Sequence, residues 1–422
     1  MCLCALIALR LLLALAVVPP WQHPDEPQHV LAVCLHGGLA SPSQAEHEVE
    51  ILRSMARHEF WGRLSLAPPP TTHTRFEEDP QLLGLEMRLP GGGGAYYRLA
   101  GLWSQALGAR DVDDVLRATR VLSAAAGVLT VLLAFLAVRL LLGTWSAAGV
   151  GCLAALHPQF ALIATTASPD AVVGAMAALV IWMGMRSLDS RRPYLWLASA
   201  LPVIAFAALS RRIGMTLIPL GAWLALLSLA QHGPRRAARS LLVLLGVLVA
   251  GLAAVTGMAP QVLQSAVGDA VLLLTRGTGE ISYWGVLRGL HHSAWLSGGW
   301  LRLSPPLWWI DILAVLTVVA VAGAVRAAAS GSWPRARLAV VASLGAITLQ
   351  LVAIYVAYVR VGQGAPGRYL TPVGVLVMIL LWVGVVTLDG GKPGRWPALV
   401  LVASMAVLSV GAWTSVILPG FW

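Results

Sequence analysis

Charge is scarce in this chain. Asp, Glu, Lys and Arg together make up 11% of its 422 residues, where soluble domains carry roughly a quarter. Lysine is nearly missing, with Lys392 standing alone, so the net charge of +10 rests on arginine. That bias reads as codon usage before function. Cysteine is rare as well. Cys2, Cys4, Cys34 and Cys152 form no CxxC pair and no finger spacing, which excludes a disulfide framework and a zinc module and leaves four small apolar fillers. The arginines are scattered over the segments between apolar runs, so the basic balance does not point to nucleic acid as a partner.

What the chain has is apolar length. Hydrophobic residues make up 58% and the mean hydropathy is +0.77. Runs near 2–18, 119–141, 147–164, 169–188, 194–209, 213–230, 240–257, 307–329, 338–359, 371–388 and 397–418 predict about eleven crossings. Unbroken runs of this length exclude a β-barrel. The fold class expected is an all-α polytopic membrane protein in one unit, 1–422. Two long loops lie at 19–118 and 258–306. Ala14-Leu15-Ala16 imitates a leader-cleavage site, but no basic residue precedes the apolar run and Arg10 interrupts it, so an uncleaved first helix is expected.

The loops orient the helices. Arg191-Arg192, Arg235-Arg236 with Arg239, Arg335 with Arg337, and Lys392 with Arg395 fall on one side, which the positive-inside rule makes cytoplasmic. The first loop, the 258–306 loop and the turns at Ser168-Pro169-Asp170 and Gly364–Leu370 then lie outside. Arg211-Arg212 falls outside too, against the rule.

The first outer loop holds thirteen of the nineteen acids and six of the ten histidines. Pro27 predicts the first turn of a helix capped by Asp25 or Glu26 and stopped by Gly37-Gly38. A second helix over Gln44 to Trp61, with Val49, Leu52, Met55 and Phe60 on one stripe, reads as amphipathic and lying on the membrane surface. Gly91 to Gly94 reads as a hinge before Tyr96-Tyr97, and Asp111, Asp113 and Asp114 precede the second membrane helix. Tryptophans in the second long loop (Trp284, Trp295, Trp300) suit a membrane–water boundary.

Two adjacent carboxylates emerging from a membrane helix are costly unless they serve a function. On a helix Asp25, Glu26 and His29 share a face. They suit a general base or a divalent-cation site for Mg or Mn; the plain alternative is helix capping. Asp170 is either a cap or a fourth site residue. Arg211 and Arg212 suit bidentate phosphate binding or snorkelling to lipid headgroups. Arg360 and Gly367-Arg368-Tyr369 flank a glycine- and proline-rich turn that allows close backbone approach, or is a simple connection. His157-Pro158 predicts a kink in the third helix. His291-His292 is a weak metal pair. The glycine run follows no strand, so a nucleotide fingerprint is rejected.

Together Pro24-Asp25-Glu26-Pro27-Gln28-His29, Tyr96-Tyr97, Arg120 to Ser123, Ser168-Pro169-Asp170 and Gly367-Arg368-Tyr369-Leu370-Thr371-Pro372 carry a resemblance, with a looser match at His292 to Trp300. The chain resembles a family of bacterial polytopic membrane proteins of unknown function, itself similar to the GT-C superfamily of lipid-linked-sugar glycosyltransferases. Relatives often have a His-Pro-Pro run before the tyrosine pair; here Pro90 and four glycines stand there. The resemblance implies a bacterial plasma-membrane enzyme with an extracytoplasmic site. It would move a sugar from a polyprenyl phosphate to a glycan, lipid or protein acceptor. Asp25, Glu26 and Asp170 would be catalytic, with Asp25 and Glu26 as cation ligands. His29, Tyr96, Tyr97, Arg211, Arg212, Arg368 and Tyr369 would bind substrate. A lipid-linked-glycan transporter and a non-catalytic membrane protein are the alternatives.

Overall fold

The computed structural model describes residues 2–39, 43–63, 94–232, 242, 283–298, 303–331, 333–355, 366–388 and 393–421. Among them there is no strand, only one bridge between Gly298 and Leu303. The first part of the chain forms α1 (Cys2–Val17), α2 (Glu26–Val33), α3 (Gln44–Arg57), α4 (Phe60–Arg63), α5 (Ala95–Ala106), α6 (Val112–Leu156), α7 (Pro158–Ile163), α8 (Pro169–Asp189), α9 (Pro193–Ser210) and α10 (Leu217–Gln231). The second part forms α11 (Tyr283–Trp295), α12 (Leu307–Ser330), α13 (Pro334–Ile354), α14 (Gly374–Val386), α15 (Arg395–Ala412) and α16 (Leu418–Phe421).

Eight described helices are long and apolar enough to cross a membrane, and α1 is a shorter apolar one. The eleven crossings read from sequence are not reached among the described residues. One reason is that run 240–257 lies almost wholly outside them. Another is that runs 119–141 and 147–164 join in α6. At 1.5 Å per residue a straight α6 would be about 68 Å long, over twice a bilayer core. Gly143 prevents this: its φ of +84° with ψ 174° breaks the helix. The chain turns back there, since Gly127 before the break packs on Ala164 beyond α7. Pro158 does not kink the third helix as expected. It opens α7, after His157 has left the helical region with ψ 122°.

The helices meet through small residues, as membrane interfaces require. A Cβ on Gly384 would stand 1.8 Å from the Ala320 carbonyl oxygen, and one on Gly323 would stand 2.5 Å from that of Gly384. Helices α12 and α14 therefore touch backbone to backbone. Gly149 similarly seats the ring of Trp382.

A second core lies at one end of the bundle. Trp21, Val30, Leu31, Leu52, Met55, Phe60, Tyr96 and Val115 pack there. The stripe expected on α3 is present, with Leu52, Met55 and Phe60 buried and Val49 half-buried. It faces protein, however, and the helix breaks at Glu59, whose φ is +55°. The segment thus caps the bundle instead of floating on lipid. Gly37 ends the α2 segment at φ +102°, as expected. The glycine hinge and most of loop 258–306 lie outside the described residues.

A Gly384→Val variant should separate α12 from α14 and cost about 1–3 kcal/mol. A lowered thermal midpoint in detergent, read by fluorescence-detected size exclusion, checks this.

Candidate functional site

The chain leaves α1 at Val17, turns through Pro19-Pro20 and enters α2 at Glu26. Asp25 is the N-cap residue but does not cap: its φ is +64° and its side chain makes no cap hydrogen bond. The carboxylate instead accepts from Arg368 Nη2 at 2.5 Å. The capping alternative for Asp170 fails in the same way. Ser168 is the N-cap of α8, its hydroxyl accepting from the Asp170 amide at 3.3 Å. The Asp170 carboxylate pairs with Arg211, and its other oxygen lies 4.0 Å from Arg368 Nε. Asp25, Arg368, Asp170 and Arg211 therefore form one alternating chain of charge. It draws on four separate stretches of sequence.

Local structure explains each placement. Arg211 follows the last turn of α9 in extended conformation, φ −160°, and begins a reversal into α10. The reversal needs Gly214, where a Cβ would stand 2.0 Å from the Ala207 carbonyl oxygen. Arg368 lies in a 3-10 segment, Gly367–Val373, whose Gly367 abuts the backbone of Ala294; its amide donates to Ser293 Oγ at 2.7 Å. Gln350 holds the Tyr369 carbonyl at 2.7 Å, and the Arg368 guanidinium lies 5.9 Å from the Tyr369 ring centre. Arg212 opens the neighbouring 3-10 segment and is half-buried.

Glu26 takes a different position from its neighbour. It is 0% exposed. Arg120 holds it through Nε–Oε1 at 2.8 Å and Nη2–Oε2 at 2.7 Å, and the Ala167 amide donates to Oε1 at 3.0 Å. The same guanidinium donates to the carbonyls of Val18 and Pro19 at 2.9 Å each. This clamp ties the end of α1, the start of α2, α6 and the turn before α8 into one block. In the sequence Arg120 stands only as part of the Arg120 to Ser123 motif, with nothing beside it to mark this role. A single arginine near the start of an apolar helix carries no mark distinguishing it from a lipid-facing one.

His29 is 3% exposed, and its Nδ1 lies 2.9 Å from the Tyr97 hydroxyl. Tyr96 is fully buried and packs edge-on against Tyr97, ring centres 5.3 Å apart. Burial and the Arg211 charge push His29 down to about 3. Burial also pushes His23 down to about 4, so both imidazoles are neutral near pH 7. Burial acts upward on the Asp25 carboxyl, but Arg368, His29 and Arg211 outweigh it and hold the group below its ordinary 3.8.

A small crevice of about 20 Å³ opens beside the charge chain. Asp170 and Arg368 form one wall, and His23, Gln159, Thr166 and Ser297 supply uncharged polar groups on the others. Among the described residues no three His, Cys, Asp or Glu side chains converge to hold a metal ion. Of the oxygens expected to ligate Mg or Mn, both of Glu26 and Oδ2 of Asp25 are paired with guanidinium groups.

A family model described as dolichyl-phosphate-mannose-protein mannosyltransferase matches residues 99–259. The apo oligosaccharyltransferase of Archaeoglobus fulgidus superposes with a TM-score of 0.50 at 12% identity, over 97% of this chain and 55% of that one. The fold is GT-C-like. The same archaeal enzyme with zinc and sulfate aligns at TM-score 0.43 and 15% identity, over 76% of this chain and 44% of that one. ArnT of Cupriavidus metallidurans bound to undecaprenyl phosphate aligns at 0.48 and 15%, over 99% and 73%. The GT-C-like chain spans about half the length of the oligosaccharyltransferases it matches. No curated protein matches it.

The clamp sets a pH dependence. Burial acts upward on Glu26, Arg120 outweighs it, and the folded pKa lies below the ordinary 4.5. A depressed carboxylate stabilises fully above its unfolded pKa, and the effect is lost as pH falls through the folded value. The unfolding midpoint of the wild type should thus decline as pH drops below 4.5. Glu26→Gln should start lower at pH 7, by about 3–5 kcal/mol because Arg120 is left buried without its counter-charge. It should also lack part of that acid slope. Denaturant titrations at several pH values check both.

Proposed function

We propose that the protein transfers a sugar from a polyprenyl-phosphate donor to an acceptor hydroxyl outside the cytoplasm. The observation that carries this reading is the alternating chain Asp25–Arg368–Asp170–Arg211, whose two middle members, Arg368 and Asp170, line a polar crevice. The match of residues 99–259 to the mannosyltransferase model supports a polyprenyl-phosphate donor.

A lipid phosphate is a good leaving group, since its second pKa is about 6. It needs a cationic hold but no general acid, unlike the leaving group of a glycosidase. Arg368 and Arg211 supply that hold, two guanidinium groups suited to bidentate phosphate contact. They are each neutralised by a carboxylate at rest. An arriving phosphate competes with Asp25 for Arg368, and the released carboxylate takes the proton of the acceptor hydroxyl. The acceptor oxygen then bonds to the anomeric carbon as the bond from that carbon to the phosphate oxygen breaks. Products are the glycosylated acceptor and the polyprenyl phosphate, with the proton on Asp25. Prearranged charge of this kind is often the largest catalytic contribution.

Asp170 keeps Arg211 in place, and Glu26 positions Asp25 through the Arg120 clamp instead of reacting. His29, backed by Tyr97 and Tyr96, presents an uncharged imidazole beside Asp25. Arg212 and Tyr369 are assigned to the donor side, next to Arg211 and Arg368. No step runs through Mg or Mn.

A transporter places its charges along a path through the midplane. Here the ion pairs of the crevice gather at one end of the bundle, which favours the enzyme. Arg10, half-buried in α1, is the exception.

The test uses purified protein in bilayer discs with a labelled polyprenyl-phosphate sugar. Asp25→Asn should lower turnover by about 10²–10⁴-fold while the protein stays folded by circular dichroism. Unchanged turnover in that variant removes the base from the scheme. The pH profile gives a second check. The depressed carboxyl stays ionised through neutral pH, so kcat/KM should show no acid limb above 3.8. With phosphate on Arg368 the carboxyl loses part of its counter-charge, so the acid limb of kcat should lie at higher pH than that of kcat/KM.

A further inference from the structure

A second, larger cavity of about 540 Å³ lies on the other side of the Arg120–Glu26 clamp. It sits where α1 ends and α3, α4 and α6 meet. Its lining charges are four arginines, at positions 57, 63, 117 and 120, against one acid, Glu59. Glu59 pairs with Arg63 at 3.6 Å through a side chain that is 75% exposed, and Arg63 also donates to the Phe421 carbonyl at 2.5 Å. Apart from His58 the remaining wall is apolar, with Leu15, Val18 and Val121. Apolar residues of the same two helices are exposed nearby: Val121 is 44% exposed, and Leu9, Leu12 and Leu13 of α1 are 59%, 63% and 54% exposed. In a membrane helix such residues face acyl chains. The cavity therefore has a basic head and an apolar side door opening onto lipid.

We infer that this cavity binds a phosphate-bearing membrane lipid, its phosphate among Arg57, Arg63 and Arg117 and its chain along Leu15, Val18 and Val121. Burying apolar chain holds the tail, and guanidinium groups hold the phosphate. The pairings of these arginines do not prevent it. Arg57 with Asp113 and Arg117 with Asp114 are surface pairs, the arginine side chains 54% and 72% exposed. Neither acid lines the cavity. Exposed pairs of this kind are weak and exchange readily, and each arginine keeps further N–H groups for a second anion. Arg120 is different, because Glu26 takes two of its donors and the Val18 and Pro19 carbonyls take others. It forms the partition between the two cavities, not the headgroup site. The cavity is independent of the transfer reaction proposed above and stands without it.

The test titrates the detergent-purified full chain with dioctanoyl phosphatidic acid, followed by native mass spectrometry. Dioctanoyl phosphatidylcholine, dioctanoylglycerol and inorganic phosphate are the comparison probes. Phosphatidic acid should bind at least tenfold more tightly than the other three. Arg117→Glu, and Arg57→Glu with Arg117→Glu, should weaken it tenfold or more. Leu15→Trp, which fills the apolar side, should weaken phosphatidic acid and leave inorganic phosphate unchanged; circular dichroism verifies folding in each. Arg368→Ala and Asp25→Asn, on the other side of the clamp, should leave phosphatidic acid binding at the wild-type level. The proposal is overturned if phosphatidylcholine binds as well as phosphatidic acid, or if the two charge reversals have no effect. Equal affinity for inorganic phosphate removes the lipid from it. Loss of binding in Arg368→Ala instead of Arg117→Glu places the ligand in the first crevice and equally overturns it.

Discussion

The structure depends on keeping ionised groups out of water in pairs. A carboxylate or guanidinium alone in so apolar a chain would carry a desolvation penalty of several kcal/mol. Three ion pairs meet that constraint here, Glu26–Arg120, Asp25–Arg368 and Asp170–Arg211. Yet they are not equivalent. The first is sealed, with side chains 0% and 6% exposed, and beyond Glu26 the Arg120 guanidinium also fixes the Val18 and Pro19 carbonyls. The other two border a crevice, and Asp25 is 29% exposed. One pair holds the frame, while the others can trade their partner for an incoming anion.

This division accounts for why so many helices serve so small a site. The four residues of the charge chain come from the α1–α2 turn, the start of α8, the α9–α10 reversal and the 3-10 segment before α14. Each lies at a helix end, where the backbone changes direction and side chains converge. The glycine contacts at Gly127, Gly149, Gly214 and Gly384 bring those ends together. A membrane scaffold that packs by small residues can set distances between loops far apart in sequence. A disturbance deep in the bundle is thereby transmitted to the charged rim.

Much of this was legible from the residues alone. The apolar runs marked the helices, and the arginine counts put Asp25, Asp170, Arg211 and Arg368 on one side of the membrane. The misplaced Arg211 was the useful anomaly, because a basic residue on the wrong side needs a partner. What remained hidden followed from backbone geometry. Asp25 and Glu26 are adjacent and look alike, but the chain direction at Glu26 sends one carboxylate to Arg120 on α6 and the other to Arg368. Spacing cannot show that. Two runs joined at Gly143 look like two helices with a loop, and the α3 stripe is identical whether it meets lipid or protein. Arg120 had no distinguishing neighbour in the sequence, since its partners lie about a hundred positions away.

The left-handed backbone at Asp25 narrows the alphabet available there. With φ near +64°, glycine, asparagine and aspartate fit readily, whereas a longer acid is disfavoured. Of those three only aspartate ionises. The reach of the acidic group toward Arg368 is thus set by main-chain stereochemistry at one peptide unit, and a glutamate there would have to distort the entrance of the second helix before its extra methylene could matter.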